Sequence, residues 1–232
     1  MSTAQPFRVG FLLFPHVTQL DLTGPYEVLA RLPGAEVLLV AKTLDAVPSE
    51  RGLAILPTTT FAACPPLDLV CVPGGPGSNA AMTDAETLHF LRRAAESARY
   101  VTSVCTGSLV LAAAGLLRGR RAACHWMSRD LLRRLGTEPS AERVVVDGKF
   151  ISGGGVTAGI DFALAVVAEI RGREAAEAIQ LMIEYDPHPP FDAGTPERAP
   201  PALVAQVRER AASFMQERED AVGRAAAALG DR

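Results

Sequence analysis

A cysteine separates strand-type from helix-type residues in the segment YVTSVCTGSLVLAAAG, residues 100–115. Cys105 is followed directly by Thr106 and Gly107, and then by an alanine- and leucine-rich run. If the strand turns sharply into the helix, the thiol is held at the helix N-terminus, where free N–H groups and the helix dipole favour the thiolate. Gly107 would let such a turn close without a Cβ clash. Although a free cysteine is more often a packing residue, this context favours a nucleophile.

A thiolate that attacks needs a proton donor or acceptor nearby, and histidine is the usual partner. No histidine adjoins Cys105 in the sequence. His89 falls in a predicted surface helix and His188 in a proline-rich segment, whereas His16 and His125 remain open without support. The histidines therefore do not identify the partner.

Asp21, in the segment QLDLTGPYEVL, is a better candidate. It follows the loop after the first predicted strand, which places it at the carboxyl edge of a parallel sheet, where ligands bind. If Pro25 takes the first helical position, Gly24 is the cap and Asp21 lies outside the helix. Two interpretations stay open: a proton-transfer partner of the thiol, or an aspartate that caps the helix.

Two glycine-rich segments follow other predicted strands. VPGGPGS, residues 72–78, has exposed backbone amides that could donate to developing negative charge, and it is equally consistent with an ordinary turn. GGGVTAG, residues 153–159, enters a predicted helix. It does not match G-x-G-x-x-G after a first strand, so a dinucleotide site is weakly supported.

The elements that must position these residues alternate between strands and helices, which predicts an α/β fold. LAILPTTTF, residues 53–61, predicts a short hairpin or an edge strand, and Asp147-Gly148 is a strong hairpin signal within 143–154. The other predicted strands are 7–14, 36–41, 67–72 and 100–105, and the predicted helices include 84–98, 107–114, 125–136, 158–172 and 173–185.

The length, composition and net charge limit the kinds of protein that this chain can be. The chain has 232 residues, 48% apolar residues and a formal net charge of −3, which fits one α/β domain and indicates neither disorder nor a nucleic-acid partner. With no secretory leader and no segment that could span a membrane, we expect a soluble, cytoplasmic protein. The four cysteines form no C-x-x-C pair, which predicts free thiols and makes a disulfide frame or a zinc site improbable.

The composition changes after Tyr185. The segment DPHPPFDAGTPERAPP, residues 186–201, contains six prolines in sixteen residues, which predicts an extended arm. A final helix is predicted at about 201–228. We expect residues 1–190 to form the α/β domain and residues 191–232 to form the arm and helix as part of the same unit.

Five segments together resemble the ThiJ/PfpI superfamily, the cysteine-elbow branch of the glutamine-amidotransferase-like fold, and within it the isonitrile hydratases. The resemblance covers about residues 7–190. It implies a doubly wound, mostly parallel sheet flanked by helices, of the flavodoxin-like, class I glutamine-amidotransferase-like type, usually in a homodimer. The segments are FLLFP, QLDLTGPYEVL, LVCVPGGPG, SVCTGSLVLAAAGLLRGRRAACHW and GGGVTAGIDFAL.

The resemblance also implies residue roles. Cys105 is the nucleophile, Asp21 is its acidic partner where many relatives carry a glutamate, and Thr106 helps to order the site. For Trp126, a core indole is the more ordinary role. No metal or organic cofactor is implied. The residues implied to line the substrate pocket are Gly75, Gly154, Gly155, Val156 and Trp126.

The activity that the resemblance implies is hydration of an isonitrile to an N-substituted formamide through a thioimidate on Cys105. Proteases and glyoxalases of the superfamily carry a histidine directly after the cysteine, so Thr106 argues against those activities. Two alternatives stay open: a redox or ligand sensor that uses the same cysteine, and a regulatory domain that pairs with a separate DNA-binding protein. Transcription regulators of the superfamily join similar segments to a helix-turn-helix reader. Too few residues follow position 190 for that reader, and the last helix lacks a basic recognition pattern, which favours the free-standing enzyme.

Overall fold

The computed structural model describes residues 5–230, and within them strands and helices alternate along most of the chain. A 3₁₀ helix, Arg129–Leu135, lies between the fourth and fifth α-helices. The strands are β1 (Phe7–Leu12), β2 (Ala35–Ala41), β3 (Val47–Pro48), β4 (Ala54–Ile55), β5 (Thr59–Thr60), β6 (Leu69–Val72), β7 (Tyr100–Val104), β8 (Arg121–Ala123), β9 (Glu138–Ser140), β10 (Val144–Asp147) and β11 (Phe150–Gly153). The helices are α1 (Gln19–Leu29), α2 (Ser78–Ala81), α3 (Ala85–Ser97), α4 (Gly107–Ala113), α5 (Ala158–Arg171), α6 (Arg173–Met182) and α7 (Pro201–Gly230).

Seven of the described strands form the central sheet, in the order β10-β11-β7-β6-β1-β2-β5. All neighbours in it pair in parallel except the β10-β11 hairpin. The chain builds outward from β1 in both directions, so the switch point lies between β1 and β6. In open α/β sheets ligands bind at such a point, beyond the carboxyl ends of the strands. The predicted doubly wound, mostly parallel sheet is confirmed.

The central strands are buried on both faces, as their continuous apolar sequences predict. Alternate residues of β6 point to opposite sides: Val70 and Val72 join a cluster with α3, α4 and α7, whereas Leu69 and Cys71 join one with α1, α5 and α6. Cys105 belongs to the second cluster. The sheet therefore separates two apolar layers, and the cysteine faces the layer of α1 and α5.

Most of the predicted elements are present. The hairpin at Asp147-Gly148 is confirmed by the antiparallel pairing of β10 and β11. Of residues 53–61, β5 forms the predicted edge strand of the sheet, whereas β4 forms a hairpin with β3, which lies before this segment. The helix predicted over 125–136 is only a 3₁₀ helix at Arg129–Leu135, which ends at Gly136 in the left-handed region with φ +74°.

Helix α1 begins earlier than the position of Pro25 suggested. It starts at Gln19, so Asp21 lies in its first turn and Pro25 lies inside the helix. The tertiary contact responsible is at Thr18, whose N–H donates to the Gly74 carbonyl at 2.9 Å. The side chain of Asp21 is consequently held by a helix and not by a loop.

The C-terminal region runs without regular structure from Ile183 to Pro200 and then forms α7. Three small or apolar residues of α7, namely Ala221, Val222 and Ala225, are buried in the cluster that also contains α4. In the described part of the chain, no helix has the length and apolar character needed to cross a bilayer.

The corner between β7 and α4 depends on Gly107. A Cβ at this position would lie 1.9 Å from the carbonyl oxygen of Val72, at the end of the neighbouring strand. We therefore expect Gly107→Ala to lower the free energy of unfolding by roughly 1–3 kcal/mol, the usual cost of forcing atoms into a packed interior. Urea unfolding followed by circular dichroism measures this change.

The matched control is Gly194→Ala, because an added Cβ there meets no atom within 4 Å. Its unfolding midpoint should stay at the wild-type value. If Gly107→Ala unfolds at the same urea concentration as Gly194→Ala, the close approach of α4 to β6 is not required for the fold.

Candidate active site

Strand β7 turns into α4 through one left-handed residue, Cys105, whose φ is +57°. Such a conformation costs a non-glycine residue about 1–3 kcal/mol and persists only where its surroundings impose it. Here the Cys105 N–H is shared between the carbonyls of Gly153, at 3.1 Å, and Gly154, at 2.8 Å. The predicted strand-to-helix corner is thus present, and the loop after β11 holds it.

Asp21 lies beside the thiol and is fully buried. Its Oδ2 accepts the Gly74 N–H at 2.9 Å, while its Oδ1 has no partner with hydrogen-bond geometry in residues 5–230. The carboxyl and the Cys105 thiol are close enough to shift the pKa of each other. One carboxyl oxygen is therefore fixed by the backbone, and the other remains available for proton transfer.

Burial raises the pKa of Asp21 from 3.8 to about 7, although the Cys105 thiol and the Gly74 N–H both favour the carboxylate. Burial and the charge of Asp21 hold the pKa of Cys105 well above its usual 9.0, against the stabilising amide of Val156. The thiolate expected from the helix dipole is thus not the resting state, because burial and a nearby carboxylate outweigh a helix of seven residues. Burial therefore disfavours the anionic form of both side chains.

Thr106 links the cysteine corner to the turn after β6. Its Oγ1 accepts the Gly75 N–H at 3.0 Å and the Ser78 hydroxyl at 3.1 Å. Since the Gly74 N–H is donated to Asp21, neither Gly74 nor Gly75 has a free amide. The sequence suggested exposed amides for developing negative charge, but here they position Asp21 and Thr106.

A cavity of about 300 Å³ lies next to this group. Four of the five residues expected to bind substrate line it: Gly154, Gly155, Val156 and Trp126. Gly75 does not line it, because the turn packs tightly and a Cβ there would lie 2.5 Å from the Thr18 nitrogen. Cys105 does not line the cavity itself, but the loop 154–156 that does line it contacts Cys105, whose N–H donates to the Gly154 carbonyl at 2.8 Å.

Three contributors to this region carried no clear signal in the sequence. Residues 194–197 of the proline-rich arm form part of the cavity wall. His125 also lines it, and burial and the Arg218 charge lower the pKa of His125 to about 4, so its imidazole is neutral at pH 7. Arg218 of α7 is buried and donates to the Gly75 carbonyl at 3.0 Å, but among the Arg and Glu residues of that helix nothing distinguished it.

The pair of Asp21 and Cys105 is suited to moving one proton while sulfur forms a bond. A carboxylate can accept the thiol proton as the sulfur attacks, and then deliver it to the atom attacked. A pKa near 7 is well matched to both roles, because the group gains and loses its proton readily at neutral pH. The site can therefore add a thiol, and then water, across a small electrophile.

Comparison with known proteins gives a consistent result. The model of the DJ-1/PfpI family matches residues 7–169. The chain is 56% identical to isonitrile hydratase of Pseudomonas putida, over 97% of this chain and 99% of that protein. It is 33% identical to the HTH-type transcriptional regulator GbdR of Pseudomonas aeruginosa, over 78% of this chain and 51% of the regulator. A crystal structure of a ThiJ/PfpI family protein from Pseudomonas syringae superposes with a TM-score of 0.91 and 46% identity, covering 94% of this chain and 91% of that one.

The raised pKa of Asp21 predicts a stability that depends on pH. Because the folded-state pKa lies above the unfolded value, the carboxyl stabilises the fold fully below about pH 4, and this contribution is lost as the pH rises through about 7. Asp21→Asn keeps the shape and an acceptor for Gly74 but removes the titration. We expect it to be more stable than wild type at about pH 8, by up to roughly 4 kcal/mol, with the gain disappearing at about pH 4.

Asp147→Asn provides a control of opposite sign, because the Arg121 N–H lowers the pKa of Asp147. This variant should lose stability relative to wild type as the pH rises. Urea unfolding between about pH 4 and pH 8 measures both series. An Asp21→Asn gain that does not change with pH would mean that Asp21 is ionised throughout this range.

Proposed function

Because the chain belongs to the DJ-1/PfpI family, we propose that it is an isonitrile hydratase, which adds water to R–N≡C and releases an N-substituted formamide. The observation that carries the proposal is its similarity, over nearly the whole chain, to an enzyme of that name. The buried pair of Cys105 and Asp21 supports the proposal, because it provides a nucleophile and a group that transfers protons. Isonitrile carbon accepts both a nucleophile and a proton, and this pair supplies both.

In the first stage of this mechanism, the Asp21 carboxylate accepts the Cys105 thiol proton while the sulfur attacks the terminal carbon of R–N≡C. A C–S bond forms, and the electron pair left on that carbon takes the proton back from Asp21. The product is a thioimidate, R–N=CH–S–Cys105. No net charge is created, which suits a site where both groups are buried.

In the second stage, the Asp21 carboxylate accepts a proton from water while the water oxygen attacks the thioimidate carbon. The C=N electrons move to nitrogen, which takes that proton. The intermediate R–NH–CH(OH)–S–Cys105 then collapses: its hydroxyl loses a proton to Asp21, the C–S bond breaks, and the proton returns to sulfur. Formamide R–NH–CHO leaves, and both side chains regain their starting states.

The cavity supports a role for Gly154, Gly155, Val156 and Trp126 in holding the R group. The loop 154–156 also contacts the cysteine corner, because the Gly154 carbonyl accepts the Cys105 N–H at 2.8 Å. Thr106 has its hydroxyl bonded within the protein, which supports an ordering role and not direct contact with substrate.

The alternative of a redox sensor is less well supported. Oxidation of cysteine depends on thiolate character and on access, whereas Cys105 is 5% exposed and the pKa of its thiol is raised. We further propose a homodimer, on the resemblance alone. Burial of Ala221 and Val222 of α7 in the core supports treating residues 191–232 as part of the same unit as the α/β domain.

Replacement of the nucleophile gives the most direct test of activity. Cys105→Ala should lower formamide production from alkyl and aryl isonitriles at least about a thousandfold, because no sulfur remains to form the thioimidate. Gas chromatography or NMR detects the formamide. The control is Cys64→Ala, because Cys64 is half-buried and lines a different cavity. This variant should retain full activity. Absence of formamide from wild type across a panel of isonitriles would refute the proposed function.

The pH dependence of kcat/KM tests the role of Asp21. The carboxylate form starts the reaction, so kcat/KM should rise with pH as one proton is lost, with a midpoint near the pKa of Asp21 at about 7. In Asp21→Asn, the activity that remains should no longer show this rise. A wild-type profile that is flat from about pH 5 to pH 9 would contradict the assignment of Asp21 as the proton carrier.

A further inference from the structure

Arg218 of α7 donates to four different residues near the proposed site. The whole residue is only 4% exposed. Nε donates to Asn79 Oδ1 at 2.9 Å and Nη1 to Ser128 Oγ at 2.9 Å. Nη2 donates to the Gly75 carbonyl at 3.0 Å and to Ser78 Oγ at 3.3 Å. One side chain from the C-terminal helix thus holds the turn after β6, helix α2 and the segment before the 3₁₀ helix.

The acceptors of Arg218 are all neutral. Within residues 5–230 the guanidinium has no carboxylate partner. Its Cζ atom lies 4.6 Å from the centre of the Phe214 ring, which adds to its packing. Removing a charge from water without a counterion is a poor way to gain stability, since an apolar side chain would join α7 to the sheet at lower cost. The planar guanidinium offers instead several hydrogen bonds in fixed directions.

The Gly75 carbonyl connects Arg218 to the reacting groups. Arg218 binds the oxygen of Gly75, while the nitrogen of the same residue donates to Thr106. The preceding amide, of Gly74, donates to Asp21. The turn has no room to relax, because a Cβ on Gly74 would lie 2.5 Å from the Thr106 nitrogen and 2.8 Å from Asp21 Oδ2.

We propose that Arg218 is a positioning residue for the hydration reaction: by holding the Gly75 carbonyl, it fixes the turn whose amides orient Asp21 and Thr106 beside Cys105. This inference rests on the proposed function. It extends the working site to α7, which lies outside the segment 7–169 that the family model matches. The proposed reaction therefore requires the C-terminal helix to be docked.

The charge of Arg218 contributes in the same direction. Burial lowers the pKa of Arg218, while its favourable interaction with the anionic forms of Cys124 and Cys105 opposes that lowering. In the mechanism, sulfur gains electron density when it is deprotonated for attack and again when the C–S bond breaks. A fixed positive charge nearby stabilises sulfur at both points.

The test compares Arg218→Met, which keeps length and removes the charge and hydrogen bonds, with Arg218→Lys, which keeps the charge. Arg210→Met, at an exposed arginine of the same helix, is the control. For each protein we would measure formamide kcat and KM, and the pH dependence of Cys105 alkylation by iodoacetamide, followed by mass spectrometry. Circular dichroism establishes that each variant is folded.

Arg218→Met should lower kcat about tenfold or more with little change in KM, because the substrate pocket is kept while the acid is misplaced. Because ionised Asp21 takes the thiol proton, the midpoint of alkylation should follow the pKa of Asp21. It should move up by about half a pH unit or more once the turn no longer fixes the Gly74 N–H that favours the carboxylate. Arg218→Lys should restore part of both effects, and Arg210→Met should behave as wild type.

A folded Arg218→Met with unchanged kcat and alkylation midpoint would overturn the proposal and leave Arg218 only a structural role. If that variant does not fold, Arg218→Lys decides by the same two measurements, and wild-type values in it would overturn the proposal. Wild-type protein that makes no formamide would refute the hydratase and leave the alkylation midpoint to decide whether Arg218 positions Asp21.

Discussion

Burial of a carboxyl group against a buried thiol is the constraint on which the rest of this structure depends. Asp21 is removed from solvent, and one of its oxygens has no hydrogen-bond partner in the described residues. Such a group is costly unless it holds a proton for part of the time. The fold maintains this arrangement through the left-handed conformation of Cys105 and the amide of Gly74. The buried carboxyl group and the left-handed cysteine both cost free energy, and the surrounding contacts of the fold offset that cost.

The sheet topology explains why these groups meet. The carboxyl ends of β1, β6 and β7 lie side by side at the switch point, and the segments after them supply Asp21, the turn at Gly74, and Cys105, respectively. The loop after β11 closes the site by accepting the Cys105 N–H. The C-terminal helix then approaches the same turn through Arg218. Residues from five regions of the sequence are thus held together by hydrogen bonds in which at least one partner is a backbone group.

The sequence predicted those parts of the site that depend on local pattern. Cys105 and Gly107 could be identified because a strand, a cysteine and a helix follow one another within a few residues. The start of α1 was misplaced, because the contact of Thr18 with Gly74 is tertiary and outweighs the preference of Pro25 for the first helical turn. Whether an amide is free is equally non-local, so the engagement of Gly75 by Thr106 could not be anticipated.

The ionisation of the thiol was misjudged for a related reason. A helix N-terminus favours an anion, but the degree of burial decides whether that effect prevails, and burial is a property of the folded chain. Arg218 was not identified because an amphipathic helix rich in Arg and Glu predicts solvated charges, while this one guanidinium lies in the interior. Local pattern therefore indicated the reacting atoms, and packing determined their protonation and their support.

Infrared difference spectroscopy of protein carrying ¹³C-labelled aspartate observes the central feature directly, by comparison of wild type with Asp21→Asn across pH. The account predicts a protonated carboxyl stretch that is present at low pH, disappears with a midpoint near 7, and is missing from the variant. If the difference between the wild-type and variant spectra shows no carboxylic acid band at about pH 5 and above, Asp21 is ionised there, and the account of Asp21 as a carboxyl group that holds a proton near neutral pH is contradicted.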